Sequence, residues 1–262
     1  MGGIESADVL LRVATYNVLD GGMGRAELIV EVLRHISPDV IVLQEVFGEN
    51  LVRTIGDALG MQYFVAKGNS KYALALLSRW PIGLRDSHHP FPPIQQTVLE
   101  AIIECPNGRS LAVFGVHPVA RPLVFFEWWR LWELRVALQR LEPYKRFGCL
   151  LLGDFNASAP GDAPEVWRLG VLNRLCILLQ GQRIYRMAIQ AILEAGFSDC
   201  FRLLHPTTDG FTYGPPAPFG RIDYIFASAP LRPYLTRCFV AREPMAVDRA
   251  SDHYPLVAEF AL

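Results

Sequence analysis

Shortages set the first limits on this chain. It has five cysteines, Cys105, Cys149, Cys176, Cys200 and Cys238, an odd number with no CxxC pair. That pattern builds neither a disulfide framework nor a structural zinc site, and fits free thiols in a reducing compartment. Lysine is scarcer: Lys67, Lys71 and Lys145 stand against 22 arginines. Arginine suits bidentate phosphate contacts, but its even spread reflects surface preference or genome composition more than a nucleic-acid groove. Net charge is nearly absent, at −1, which excludes whole-molecule attraction to nucleic acid or anionic lipid and leaves room for a local basic cleft. No apolar run approaches the roughly 18 to 20 residues of a spanning helix. A secretory signal is missing too, since Glu5 and Asp8 stand where a basic and then an apolar region would be, and a cytoplasmic location is expected. Met1 to Ser6 fits the loose myristoylation pattern, which is set aside because it is short and the apolar run from Val9 reads as a strand.

What the chain does have is length and apolar content. Its 262 residues, 51% hydrophobic and 19% charged, bury a sizeable core and exclude disorder, collagen and coiled coil. With no Pro/Ser linker and no repeat, residues 1–262 read as a single domain. Val9 to Tyr16 reads as a strand, broken by Asp20-Gly21-Gly22. Leu28, Ile29, Val32, Leu33 and Ile36 repeat at helical spacing over Arg25 to His35, Ser37-Pro38-Asp39 stops that helix, and Val40 to Leu43 is a short apolar strand. Further strands are expected at 62–66, 73–77, 98–103, 111–116, 149–152, 222–227 and 256–260, with helices at 50–59, about 123–141 and 184–195. Many strands with few interleaved helices predict packed sheets with helices outside.

Polar residues then appear where apolar strands end. Thr15-Tyr16-Asn17, Leu43-Gln44-Glu45, Val116-His117, Gly153-Asp154-Phe155-Asn156, Ile222-Asp223-Tyr224 and Ser251-Asp252-His253 supply four carboxylates, two amides and two imidazoles. Gathered in one pocket, the carboxylates repel each other unless a cation sits among them. Oxygen-rich ligation without cysteine suits Mg²⁺ or Mn²⁺ over Zn²⁺. Hydrolysis of a phosphate ester is the natural chemistry of such a set, with a carboxylate-held histidine taking a proton from the attacking water. Each residue alone also has an ordinary explanation: Asn17 as a turn former, Asp154 and Asn156 as caps, Asp223 paired with Arg221 along a strand, and His117 and His253 as satisfied pairs. The joint order and spacing outweighs these.

In that order the motifs resemble the endonuclease/exonuclease/phosphatase superfamily, and the resemblance spans nearly the whole chain. It implies an α/β fold, a four-layer sandwich of two facing mixed β-sheets flanked by helices, with a divalent-metal site at one end of the sheets. By position, Glu45 resembles the main metal ligand, with Asn17 beside it and Asp252 in the metal shell directly or through water. Asp223 and His253 resemble the catalytic carboxylate–imidazole dyad. Asp154 and Asn156 resemble the pair that orients the water and contacts the scissile phosphate, and His117 resembles a phosphate-contacting donor. His253 is taken as general base, because an imidazole backed by a carboxylate can titrate near neutrality.

The resemblance leaves the substrate open, because this fold carries one chemistry across many substrates. A nucleic acid or nucleotide phosphodiester ranks first. A phospholipid or sphingomyelin-type phosphodiester and a small-metabolite phosphomonoester come next, and a catalytically silent binding module is remote. Residues 73–82 resemble the branch that holds secreted nucleases and sphingomyelinase-like enzymes. No counterpart of the repair members' lysine-bearing or Tyr-Pro-rich segments is found, and no inositol-phosphatase lysine motif. Repair endonuclease and phosphoinositide phosphatase therefore rank lower. The stretch Phe125-Phe126-Glu127-Trp128-Trp129-Arg130-Leu131-Trp132 is expected to pack against a sheet. The alternative is an exposed ridge, through Phe125, Trp128, Trp129 and Trp132, that grips a base, a lipid or another subunit. No protein partner is expected.

Overall fold

Strands covered on both faces read as unbroken apolar runs, which is how the central strands of this chain are written. The computed structural model describes residues 9–68, 70–88 and 97–262, so the N-terminal myristoylation-like pattern lies outside the described residues. Its first half runs β1 (Leu10–Asn17), α1 (Ala26–Ile36), β2 (Val40–Val46), α2 (Asn50–Leu59), β3 (Gln62–Ala66), β4 (Ala73–Ser78), β5 (Ile82–His88), β6 (Val98–Glu104) and β7 (Ser110–Val116). The second half runs α3 (Val124–Leu141), β8 (Cys149–Asp154), α4 (Val171–Leu179), α5 (Met187–Glu194), β9 (Ser198–Asp199), α6 (Cys200–Leu204), β10 (Asp223–Ala227), β11 (Leu235–Val240), α7 (Val247–Ala250) and β12 (Leu256–Ala261).

Two six-stranded sheets result, ordered β11-β12-β1-β2-β4-β3 and β5-β6-β7-β8-β10-β9. Each is mixed: β1 pairs parallel with β2 and β7 with β8, and the other pairings are antiparallel. Leu11, Val13, Val40 and Val42 of the first sheet meet Val113, Leu150, Leu152 and Ile225 of the second in a central core. The alternate residues Ala14, Tyr16, Ile41 and Leu43 pack under α1, α2 and α7. On the far side, Phe114, Leu151 and Phe226 pack under α3 and α5. These are the four layers of the expected sandwich.

Side chains alternate faces along a strand, and that period places the polar strand ends. Residues 11 and 13 of β1, 111 and 113 of β7, 150 and 152 of β8, and 225 and 227 of β10 face the space between the sheets. Extending each series in the same phase brings Asn17, His117, Asp154 and Asp223 to the mouth of the same space. Glu45 is out of phase with Val40 and Val42. The ladder of β2 against β4 shifts register between Leu43 and Val46, and Glu45 has φ +61°. This bulge turns its carboxylate inward.

The sequence underestimates the edges. Elements β5, β9, β11, α4, α6 and α7 were not expected, and the helix expected at 184–195 begins at Met187. Strands β5 and β11 are sheet edges with mostly uncovered residues, so they lack the apolar runs that mark buried strands.

Helix α3 lies on the second sheet through Leu134, Ala137 and Leu141, but its aromatic stretch is not what it buries. Phe125, Trp128 and Trp132 point to solvent, while Glu127, Arg130 and Glu133 are buried. The inward charges have structural partners. Arg130 donates to Glu127 Oε2 at 2.8 and 3.0 Å and to the carbonyls of Val119 and Arg121. Glu127 Oε1 accepts from the Ala188 N–H at the start of α5, and Glu133 Oε2 accepts from the Val119 N–H. Together they fix the loop that leaves His117.

Burial pushes the Glu133 carboxyl from 4.5 up to about 7, against the Val119 hydrogen bond and the Arg130 charge. Because the folded value lies above the unfolded one, the folded state holds the proton more tightly. Stability then falls as pH rises through that window, and the cost is fully present above it. Glu133→Gln removes the titration. Its stabilising effect is expected to be larger at pH 8 than at pH 5 by about 2 kcal/mol, at roughly 1.4 kcal/mol per unit. Urea unfolding at the two pH values checks this, and equal effects would contradict it.

Candidate active site

The site lies where β1, β2, β7 and β8 end and where β10 and β12 begin. Local geometry brings the strand ends close. Gly153 pairs with Val116 across the parallel β7–β8 ladder, and a Cβ at this position would lie 1.9 Å from the Val116 carbonyl oxygen. Only glycine permits this approach, which seats Asp154 beside His117. Asn156, in the left-handed region at φ +49°, closes the turn, and its N–H donates to Asp154 Oδ1 at 2.9 Å.

The predicted residues converge. Asn17 Nδ2 donates to Glu45 Oε1 at 3.0 Å and to Asp154 Oδ2 at 3.1 Å, bridging the two sheets. Glu45 Oε2 accepts from the Asp20 N–H. His117 Nε2 stands 3.5 Å from Asp154 Oδ2 and 3.8 Å from Glu45 Oε1. His253 Nδ1 is hydrogen-bonded to Asp223 Oδ2 at 2.8 Å, leaving Nε2 facing Asp154 Oδ2 at 3.7 Å and Asp252 Oδ1 at 3.9 Å. Two side chains are not oriented as the sequence suggested. Asn17 Oδ1 accepts from the Leu19 N–H, so the side chain acts here as a donor to carboxylates, and metal ligation needs the amide rotated. The Asn156 Nδ2 group donates to the Pro118 carbonyl.

Supporting contacts that the sequence does not assign join the site. Thr212 Oγ1 donates to Asp223 Oδ2 at 2.6 Å, and Ser251 Oγ donates to the Asn17 carbonyl while accepting from the His253 N–H. Tyr213 packs its ring 5.1 Å from that of His253, so the stretch Phe211-Thr212-Tyr213-Gly214-Pro215-Pro216, readable from the sequence either as a cover for the core or as a wall of the substrate cleft, lies at the site. Arg221 does not pair with Asp223. It is buried against Asp162, with bonds of 3.0 and 3.1 Å, and against Asp199 at 2.6 Å. Asp199 and Asp162 had no motif around them to mark this role.

The electrostatics are one-sided. Among the described residues no lysine or arginine forms an ion pair with Glu45, Asp154, Asp223 or Asp252; only His117 and His253 do. Burial raises the Asp223 carboxyl, with the His253 charge opposing. Burial likewise raises Asp252, and the charges of Glu45 and Asp154 add to the effect. For His253 burial acts downward, but the charges of Asp223, Asp154 and Asp252 and the hydrogen bond outweigh it and push the imidazole up to about 10. Positive charge brought among these carboxylates weakens that hold on the proton.

The uncompensated carboxylates and the orphaned, buried Asp223 Oδ1 fit a divalent cation with oxygen ligands. Glu45 and Asp252 are the residues that could hold it, joined by a rotated Asn17. Asp154, Asp223 and His253 also bring ligand atoms within 4.8 Å of one another, and the Asp223–His253 hydrogen bond ties two of these residues together, which suits the trio to holding a proton. A second cluster, Asp86, His88 and Glu100, is already satisfied, because Arg140 and Tyr144 both bond Glu100.

The Endonuclease/Exonuclease/phosphatase family model matches residues 14–253, from the first strand to the last site histidine. The chain belongs to this family. As a family member it is a hydrolase acting on phosphate-ester bonds, and the family's use of divalent metals agrees with the donor set. The exodeoxyribonuclease III of Haemophilus influenzae is 26% identical over 274 residues, covering 95% of this chain and all of that protein. An AP endonuclease from Archaeoglobus fulgidus superposes with a TM-score of 0.76 at 22% identity, covering 96% of this chain and 100% of that one. A 3′ phosphatase from Neisseria bound to a product DNA hairpin superposes at 0.73 and 22%, with the same coverages.

Proposed function

We propose that this family member is a phosphodiesterase that uses Mg²⁺ or Mn²⁺ to hydrolyse a nucleic acid or nucleotide phosphodiester. The observation that carries the reading is the dyad: His253 is held by Asp223 through Nδ1 and presents Nε2 to the pocket between two further carboxylates. In this reading His253 takes the proton of the attacking water, and Asp223 fixes the tautomer and orientation of the ring. Asp154 orients the water, Asn156 and His117 contact the phosphate oxygens, and Glu45, Asp252 and Asn17 hold the metal. When bound, the cation offsets charge that develops on the phosphorus centre. The similar proteins, an exodeoxyribonuclease, an AP endonuclease and a DNA-bound 3′ phosphatase, favour nucleic acid. The free thiols, four of them buried, suit a cytoplasmic location.

The test compares bis(p-nitrophenyl) phosphate with p-nitrophenyl phosphate in Mg²⁺, Mn²⁺ or EDTA, then DNA, RNA and sphingomyelin. Metal-dependent diester preference is expected, and monoester preference would move the assignment to a phosphatase of small metabolites. A lipid diester is the second reading, favoured by the exposed aromatics of α3.

A further inference from the structure

Helix α4 is turned inside out. Ile177 is its buried residue, while Val171, Leu172, Leu175, Leu178 and Leu179 are exposed, Leu179 by 84%. At 100° per residue these five fall within about a third of the helix circumference, so an apolar stripe faces water. Phe125, Trp128 and Trp132 of α3 form a second exposed stripe, with Trp128 57% accessible. The two adjoin. Gln180, at the end of α4, accepts from the Val124 N–H that opens α3 and donates to the Pro122 carbonyl. Trp167, just before α4, is 67% exposed. Four of the five tryptophans, 128, 129, 132 and 167, thus lie on or beside this surface. An apolar area of this kind costs free energy in water unless something covers it.

Its charges indicate what does. Arg174 on α4 and Arg183 just after it are exposed, and α4 itself contains no aspartate or glutamate, while Arg168 is paired with Glu165 and Arg186 is tied to the Ala159 and Asp162 carbonyls. Around α3, Arg121 and Arg135 are exposed, whereas Glu127 and Glu133 are buried. Tryptophan and phenylalanine beside leucine, fringed by arginine, is the composition that settles into the headgroup region of an anionic bilayer. The aromatics of α3 could stack on bases, but the α4 half of the surface, all leucine and valine, offers nothing for bases to stack on, which favours lipid for the surface as a whole.

We propose that α3 and α4 form a docking surface for anionic lipid membranes. The surface flanks the site, because the loop that leaves His117 carries Pro118, bonded to Asn156, and Pro122, bonded to Gln180. Docking therefore holds the mouth of the site close to the bilayer. This holds whichever phosphoester the site takes.

The test is co-sedimentation with phosphatidylcholine vesicles, with and without phosphatidylserine, together with quenching of tryptophan fluorescence by brominated lipid. Binding that requires phosphatidylserine, weakens with salt and quenches the tryptophans is expected. Leu175→Gln with Leu179→Gln, and separately Trp128→Ser with Trp132→Ser, should each weaken it about tenfold or more. The same variants should hydrolyse bis(p-nitrophenyl) phosphate at the unaltered rate, which separates loss of docking from misfolding and from failure of the phosphodiesterase reading. Absence of sedimentation and quenching, or binding untouched by both pairs of substitutions, would overturn the proposal. So would a concentration-dependent dimer, seen by light scattering and abolished by the same substitutions, in a protein that ignores vesicles; the surface would then belong to a second copy.

Discussion

Replacing His253 with alanine is expected to lower kcat on a phosphodiester by about 10³-fold, with little change in KM. The side chain is buried and held on one nitrogen by Asp223, and its other nitrogen is the one nearest the pocket. Its contribution is thus made during reaction rather than in binding. Asp223 acts through the ring, so Asp223→Asn, which keeps the shape and removes the charge, is expected to cost less, about 10²-fold. Saturation kinetics with Mg²⁺ present measure both. A loss below about tenfold in the His253 variant would remove the imidazole from proton transfer and leave Asp154, which faces the same space, as the base.

A comparable loss, in stability rather than rate, is expected far from the chemistry. Arg221 is buried between Asp162 and Asp199 and stacks on Tyr224 with its guanidinium carbon 4.5 Å from the ring centre. Asp199 also caps α6 by accepting from the Phe201 and Arg202 N–H groups, so the arginine ties that helix to the strand that carries Asp223. Arg221→Ala leaves two carboxylates buried without their partner. Arg202 still reaches Asp162, so the expected loss is at the lower end for a broken buried pair, about 3 kcal/mol, a fall in Tm on the order of 10 °C. Arg221→Lys should recover only part, since one ammonium cannot grip both carboxylates. Thermal unfolding checks both, and a shift of about 1 °C or less would show the network to be replaceable.

Central strands such as β8, whose residues Cys149–Asp154 are all buried, were legible because both of their faces are covered and composition alone marks them. The edge strands β5 and β11 were not, because many of their residues meet water and carry no signal. The convergence of these polar strand ends was legible through their motifs, and the structure supplies the reason they sit there: they continue the inward-facing series of the core. Glu45 shows where periodicity stops helping, since a bulge decides which way it points. Helix α3 misled for a related reason. Hydrophobic content predicts burial only when inward polar groups lack partners, and Glu127, Arg130 and Glu133 find theirs in the loop after His117 and in α5.

The bridge made by Asn17 has a mechanical side. Glu45 lies on one sheet and Asp252 on the loop that leads into it, Asp154 and Asp223 lie on the other, and amide and imidazole groups link them across the gap. The two sheets therefore repel each other along this rim while their apolar middles hold together. Positive charge taken up at the rim acts as a clasp: it binds the closed sandwich better than a parted one, and by mass action it stiffens the whole end of the molecule. Chelating the cation is thus expected to lower Tm and to loosen the rim first, a change that hydrogen exchange around Asn17 and Asp154 would register.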